Sequence, residues 1–88
     1  MPYVIASELH KTFMANVRAR RHELGLTVKD IAKRLDISQP SYTQIEKGRR
    51  VPSLSVIERV SAALEIAPVA LLIPREPMRS VSRKKSLV

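Results

Sequence analysis

Eighty-eight residues suffice for one compact domain with a modest apolar core and are too few for two. The absence of cysteine excludes disulfides and thiolate zinc sites as staples, and no run approaches the roughly 20 apolar residues needed to cross a bilayer. Sixteen Lys and Arg against eight Asp and Glu give a formal charge of +8, which points to a polyanionic partner, nucleic acid before an anionic membrane surface.

The start, Met1-Pro2-Tyr3-Val4, lacks the charged and apolar regions of a signal peptide, so a cytoplasmic location is expected, on the nucleoid when bound to DNA. From about Glu8 to Leu24, Leu9, Phe13, Val17 and Leu24 fall on or near one helical stripe, and Gly25 is a natural stop. Thr27 precedes an eight-residue helical pattern in which Ile31 and Leu35 are four apart. Thr27 and Asp30 have the spacing of a capping box. Asp36-Ile37-Ser38 interrupts the pattern. Ser38 is a good N-cap for a third helix reaching Lys47 and ending at Gly48, and Pro40 is tolerated in its first turn.

Arg49-Arg50-Val51-Pro52 reads as a loop. After the candidate caps Ser53 and Ser55, Leu54, Val56, Ile57, Val60, Ala63 and Leu64 have helical spacing. Pro68 can open a short fifth helix, Val69 to Ile73, which Pro74 and Pro77 prevent from continuing. Residues 74–88 hold five basic residues and one acidic, with too few apolar side chains to offset the entropy of ordering, and are expected to be a disordered basic tail. The division that follows is an N-terminal extension over 1–12, a helical domain over 13–73 and a tail over 74–88.

Two short helices joined by a three-residue turn, with Ile31, Leu35, Ile37, Tyr42 and Ile45 filling the wedge and small Ala32 at the closest approach, form the pattern of a helix-turn-helix. At 100° per residue, Gln39, Pro40, Thr43, Gln44 and Lys47 share one face of the third helix, while Ser41, Tyr42 and Ile45 share the opposite one. The polar face is free to meet DNA. With only Tyr3, Phe13 and Tyr42 as aromatics, the chain lacks stacking platforms for single strands, and duplex is the expected partner.

Over residues 13–73 the chain resembles the phage repressor and Cro family and the related xenobiotic-response-element regulators. The resemblance is carried by Arg18 to Thr27 (RARRHELGLT), by Ile45 to Leu54 (IEKGRRVPSL) and by the helix order. It implies an all-α, five-helix lambda-repressor-like fold whose third helix reads the major groove. Gln39 and Gln44 would then lie against base edges, where glutamine pairs bidentately with adenine, with Pro40 and Thr43 beside them and the Thr43 methyl available to thymine. Lys47, Arg49 and Arg50 are expected at phosphates, joined by Thr27, Ser38 and Ser41 at the starts of the two helices. The family pattern also makes Arg21 and Glu46 a partly buried ion pair.

The chain departs from that pattern at Val28, where a backbone-contacting glutamine is common, and at Asp36, where glycine is usual. With valine at 28, helix 2 is expected to anchor through the N–H groups of its N-terminus, and aspartate at 36 is tolerable because it visits the left-handed conformation more readily than most residues. His10 and His22 have no partners at metal spacing, so no metal or cofactor is expected, and no nucleophile, base and orienting group come together for catalysis. The functional expectation is a dimeric, sequence-specific regulator of transcription, a repressor on a palindromic operator, with helix 5 as a candidate dimer surface. The alternatives are an antitoxin that also binds a toxin or other protein partner, and an interaction module that has lost DNA binding.

Overall fold

The computed structural model describes residues 7–75; the predicted disorder of residues 76–88 lies outside the described residues, as do residues 1–6 of the N-terminal extension. Four α-helices follow one another: α1 Glu8–Glu23, α2 Val28–Leu35, α3 Gln39–Glu46 and α4 Leu54–Ala63, and among the described residues there is no strand. Each helix opens on a hydroxyl. Ser7, Thr27, Ser38 and Ser53 accept hydrogen bonds from the backbone N–H of His10, Asp30, Ser41 and Val56, at 3.0–3.1 Å.

The four helices also end alike, in Schellman motifs. A residue at or just after each cap turns left-handed and donates back into the last turn, as in Gly25 N–H to His22 O and Leu26 N–H to Arg21 O, both 3.0 Å. Glycine fills that position in α1 and α3, but Asp36 (φ 59°) fills it after α2 and Glu65 (φ 58°) after α4. Asp36, at a position where the family pattern has glycine, thus takes a left-handed conformation.

The predicted fifth helix is a single 3-10 turn, Pro68–Leu71. Its carbonyls are taken from outside. The Asn16 side-chain amide on α1 donates to Leu71 O (2.9 Å) and Ile73 O (2.8 Å), with a longer contact of 3.4 Å to Ala70 O, and Pro74 stops any continuation.

Phe13, Val17, Ile31, Ala32, Leu35, Tyr42, Val60, Leu64 and Leu71 form the buried core. Fully burying a leucine such as Leu64 or Leu71 contributes about 2 kcal/mol. Two residues predicted on core stripes lie outside it: Leu9 is 56% exposed and Leu54 82% exposed. Both sit in the first turn of their helices, on the side that faces away from the bundle. On α1 the inward place falls to His10, which is buried although it lies in the stretch assigned to an extension. Of the apolar residues proposed for a dimer surface, Leu71 is fully buried in the chain's own core, and Val69 and Ile73 remain exposed.

Candidate nucleic-acid interface

α2 and α3 are set against each other by a short turn, and hydrogen bonds fix both helix starts and the turn between them. In the capping box of α2, Asp30 N–H donates to Thr27 Oγ1 (3.1 Å) and Thr27 N–H to Asp30 Oδ2 (2.9 Å). Those backbone and side-chain bonds hold the Asp30 carboxyl below the usual carboxylate range. At the other end Ile37 N–H reaches back to Ala32 O (3.0 Å), and Ser38 opens α3 three residues after Leu35. The buried Ile31, Ala32, Leu35 and Tyr42, with half-buried Ile37 and Ile45, fill the wedge between the two helices.

The outward side of α3 is a shallow concavity of about 560 Å³ lined by Gln39, Pro40, Thr43, Gln44, Lys47 and Arg49. The remaining predicted site residues lie elsewhere. Ser41 and Arg50 line a second groove with Ile37, Ile45, Val51, Pro52, Val56 and Arg59, so neighbouring Arg49 and Arg50 serve different surfaces. The hydroxyls of Thr27 and Ser38 accept from their own helices, and Ser38 also donates to Ser41 Oγ at 2.9 Å. Val28 is half-buried against the core, so at the start of α2 a side chain that packs inward replaces a polar one.

Behind α3 lies a polar network. Arg21 Nε donates to Glu46 Oε2 at 2.6 Å and a second guanidinium nitrogen to Oε1 at 3.3 Å, a bidentate pair whose side chains are only 12% and 10% exposed. Tyr42 Oη donates to the same Oε2, and Arg21 also reaches Leu26 O at 3.0 Å. The bond to Glu46 raises the Arg21 pKa, and burial, followed by the bond to Glu46, raises that of Tyr42. Arg18 adds a bond from α1 to the main-chain oxygen of Glu46 (2.9 Å). Neither Arg18 nor the Tyr42 hydroxyl was anticipated. A guanidinium that seeks a carbonyl 28 residues away leaves no local signature.

The cations divide into two groups. Besides Arg18 and Arg21, Arg20 donates to Leu64 O and Glu65 O, Arg34 to Ala63 O and the Glu65 carboxylate, and Arg59 to Leu35 O, so these arginines close helix ends on neighbouring elements. Arg75 pairs with Glu23, whose carboxyl is lowered by that bond first. By contrast Lys29, Lys33, Lys47, Arg49 and Arg50 make no side-chain hydrogen bond or ion pair to another described residue, and Lys47 and Arg49 stand in the α3 concavity.

Comparison with known proteins agrees with this geometry. A helix-turn-helix family model matches residues 17–71. A helix-turn-helix-type transcriptional regulator of Methanothermobacter thermautotrophicus is 40% identical over 48 residues, 54% of this chain and 70% of that protein. Among solved structures, a hypothetical transcription factor from Neisseria superposes with a TM-score of 0.72 at 26% identity, covering 84% of this chain and 87% of that one. The restriction-modification controller protein C.AhdI from Aeromonas hydrophila superposes with a TM-score of 0.65 at 27% identity, covering 70% and 94%. These relatives are regulators of transcription rather than enzymes, and among the described residues no helix is long and apolar enough to cross a membrane. The chain belongs to the repressor and Cro type of helix-turn-helix family, the DNA-binding regulators of transcription.

Proposed function

We propose that the protein is a sequence-specific repressor that binds a palindromic operator as a homodimer, with α3 in the major groove. The observation that carries this reading is the α3 concavity, where two glutamines and a threonine share one surface with two cations that have no ion-pair partner among the described residues. Gln39 and Gln44 read base edges, adenine being the base whose N6 and N7 a glutamine amide matches. Thr43 and Pro40 contact the groove floor, and Lys47 and Arg49 hold phosphates.

Arg50, Thr27, Ser38 and Ser41 are secondary phosphate contacts at the edges of this surface. At the two helix starts, the backbone N–H groups are better donors than the hydroxyls already used for capping. Because one α3 spans only a few base pairs, two copies are needed, with half-sites about 34–36 Å apart. The exposed Val69 and Ile73 are the apolar residues at hand for that contact. Residues 13–73 carry the DNA-binding unit, and occlusion of a promoter is the mechanism.

Selection of bound duplexes from a random pool tests the assignment. The wild type should yield a two-fold symmetric site, and the Gln39→Ala, Gln44→Ala double variant should lose preference at specific positions, at about 1–3 kcal/mol per contact. An unchanged selected sequence would remove α3 from the role of reader. The antitoxin alternative predicts instead a stable complex with a co-expressed protein from the neighbouring gene.

A further inference from the structure

We propose that Arg18, on α1, is a positioning residue for sequence readout: it closes the last turn of α3 and so fixes the direction in which Thr43 and Gln44 point. The inference rests on the reading of α3 given above and adds a residue that lies outside the concavity.

The last four carbonyls of α3 can be accounted for one by one. Thr43 O accepts from Lys47 N–H (2.9 Å), Gln44 O from Arg49 N–H (3.0 Å) and Ile45 O from Gly48 N–H (3.3 Å). Those bonds complete the Schellman ending and leave Glu46 O without a backbone donor. Arg18 Nη1 supplies one at 2.9 Å. Three residues along the same face of α1, Arg21 holds the Glu46 carboxylate, so both polar ends of Glu46 are fastened to α1.

The turn thus closed contains two proposed base readers, Thr43 and Gln44, and leads directly into two proposed phosphate contacts, Lys47 and Arg49. The main chain of Gln44 is itself bonded to the main chain of Arg49. Gly48, between them, packs so closely that an added Cβ would stand 2.2 Å from Met14 Sδ, a third residue of α1 at this turn. Readers and grip therefore share one rigid turn, and α1 is the element that holds it. Arg18 itself is exposed, so its loss removes a tether and leaves the core packing in place.

The test compares wild type, Arg18→Ala and Arg18→Lys. The readouts are affinity for the selected duplex against a scrambled one, the slope of log affinity against log salt, and the melting temperature. A positioning role predicts that Arg18→Ala lowers the preference for the selected duplex about tenfold, with the salt slope unchanged and the melting temperature within a few degrees of wild type. Lysine, which keeps a donor on a long stem, should restore most of the preference. A preference that survives the alanine substitution overturns the proposal. So does a slope that becomes shallower by about 0.9, which marks a phosphate contact, or a lysine variant no better than alanine. A wild-type chain that binds selected and scrambled duplexes equally would instead defeat the reading of α3 as the reader.

Discussion

At its N-terminal end α3 is held by short, exposed bonds: Ser38 accepts from Ser41 N–H and donates to Ser41 Oγ, and Pro40 contributes no N–H at all. At its C-terminal end, eight residues on, a buried carboxylate meets Arg21 and Tyr42, its carbonyl meets Arg18, and Gly48 lies under Met14. The difference teaches how a helix of two turns can be both exposed and fixed. Its start is left to water and ligand, and its orientation is set from behind by another helix.

The largest effect expected from breaking this asymmetry is at Arg21. Removing its side chain leaves the Glu46 carboxylate poorly solvated, and Arg21→Ala should cost about 3–5 kcal/mol in chemical denaturation. Tyr42 comes next, through pH. Its proton is retained in the folded chain at pH values where an unfolded tyrosine, with an ordinary pKa of 10.0, has lost it. This contribution is present in full below pH 10 and is lost as pH rises beyond it, by up to about 1.4 kcal/mol per unit. Denaturation titrations from pH 8 to 11 should show that slope in the wild type and a shallower one in Tyr42→Phe.

At the N-terminal end the expected effect is smaller, since Ser38→Ala removes an exposed cap at about 1 kcal/mol. Equal losses for Ser38→Ala and Arg21→Ala would show that the two ends of α3 are held alike and would dissolve the distinction.

Much of the frame was legible because its signals are local. Thr27 and Asp30 are three apart, Ser38 precedes a proline in the first turn, and Asp36 stands where only a residue tolerant of positive φ can follow α2. The stripe logic failed where exposure depends on what lies opposite: Leu9 and Leu54 have the right spacing and nothing closing over them, while His10 and Asn16 are polar and buried. Asn16 was invisible for a plain reason, since its partners Leu71 and Ile73 are more than 50 residues away. The predicted fifth helix likewise ends after one 3-10 turn, ahead of Pro74, with terminal carbonyls that take their donor from α1. In the candidate site, angular spacing gathered Gln39, Pro40, Thr43, Gln44 and Lys47, but it could not separate Arg49, which joins them, from Arg50, since the two diverge in the irregular backbone after Gly48.

The Asn16 clasp bears on how the chain unfolds. α2 and α3 have eight residues each, and isolated helices below about 12–15 residues are marginal in water. Tying α1 to the segment around the 3-10 turn couples the opening of that segment to the loss of contacts with α1. Amide hydrogen exchange at Leu72, whose N–H bonds to Val69 O, should then track exchange in the middle of α1. A domain stitched in this way behaves as one cooperative unit despite the shortness of its parts.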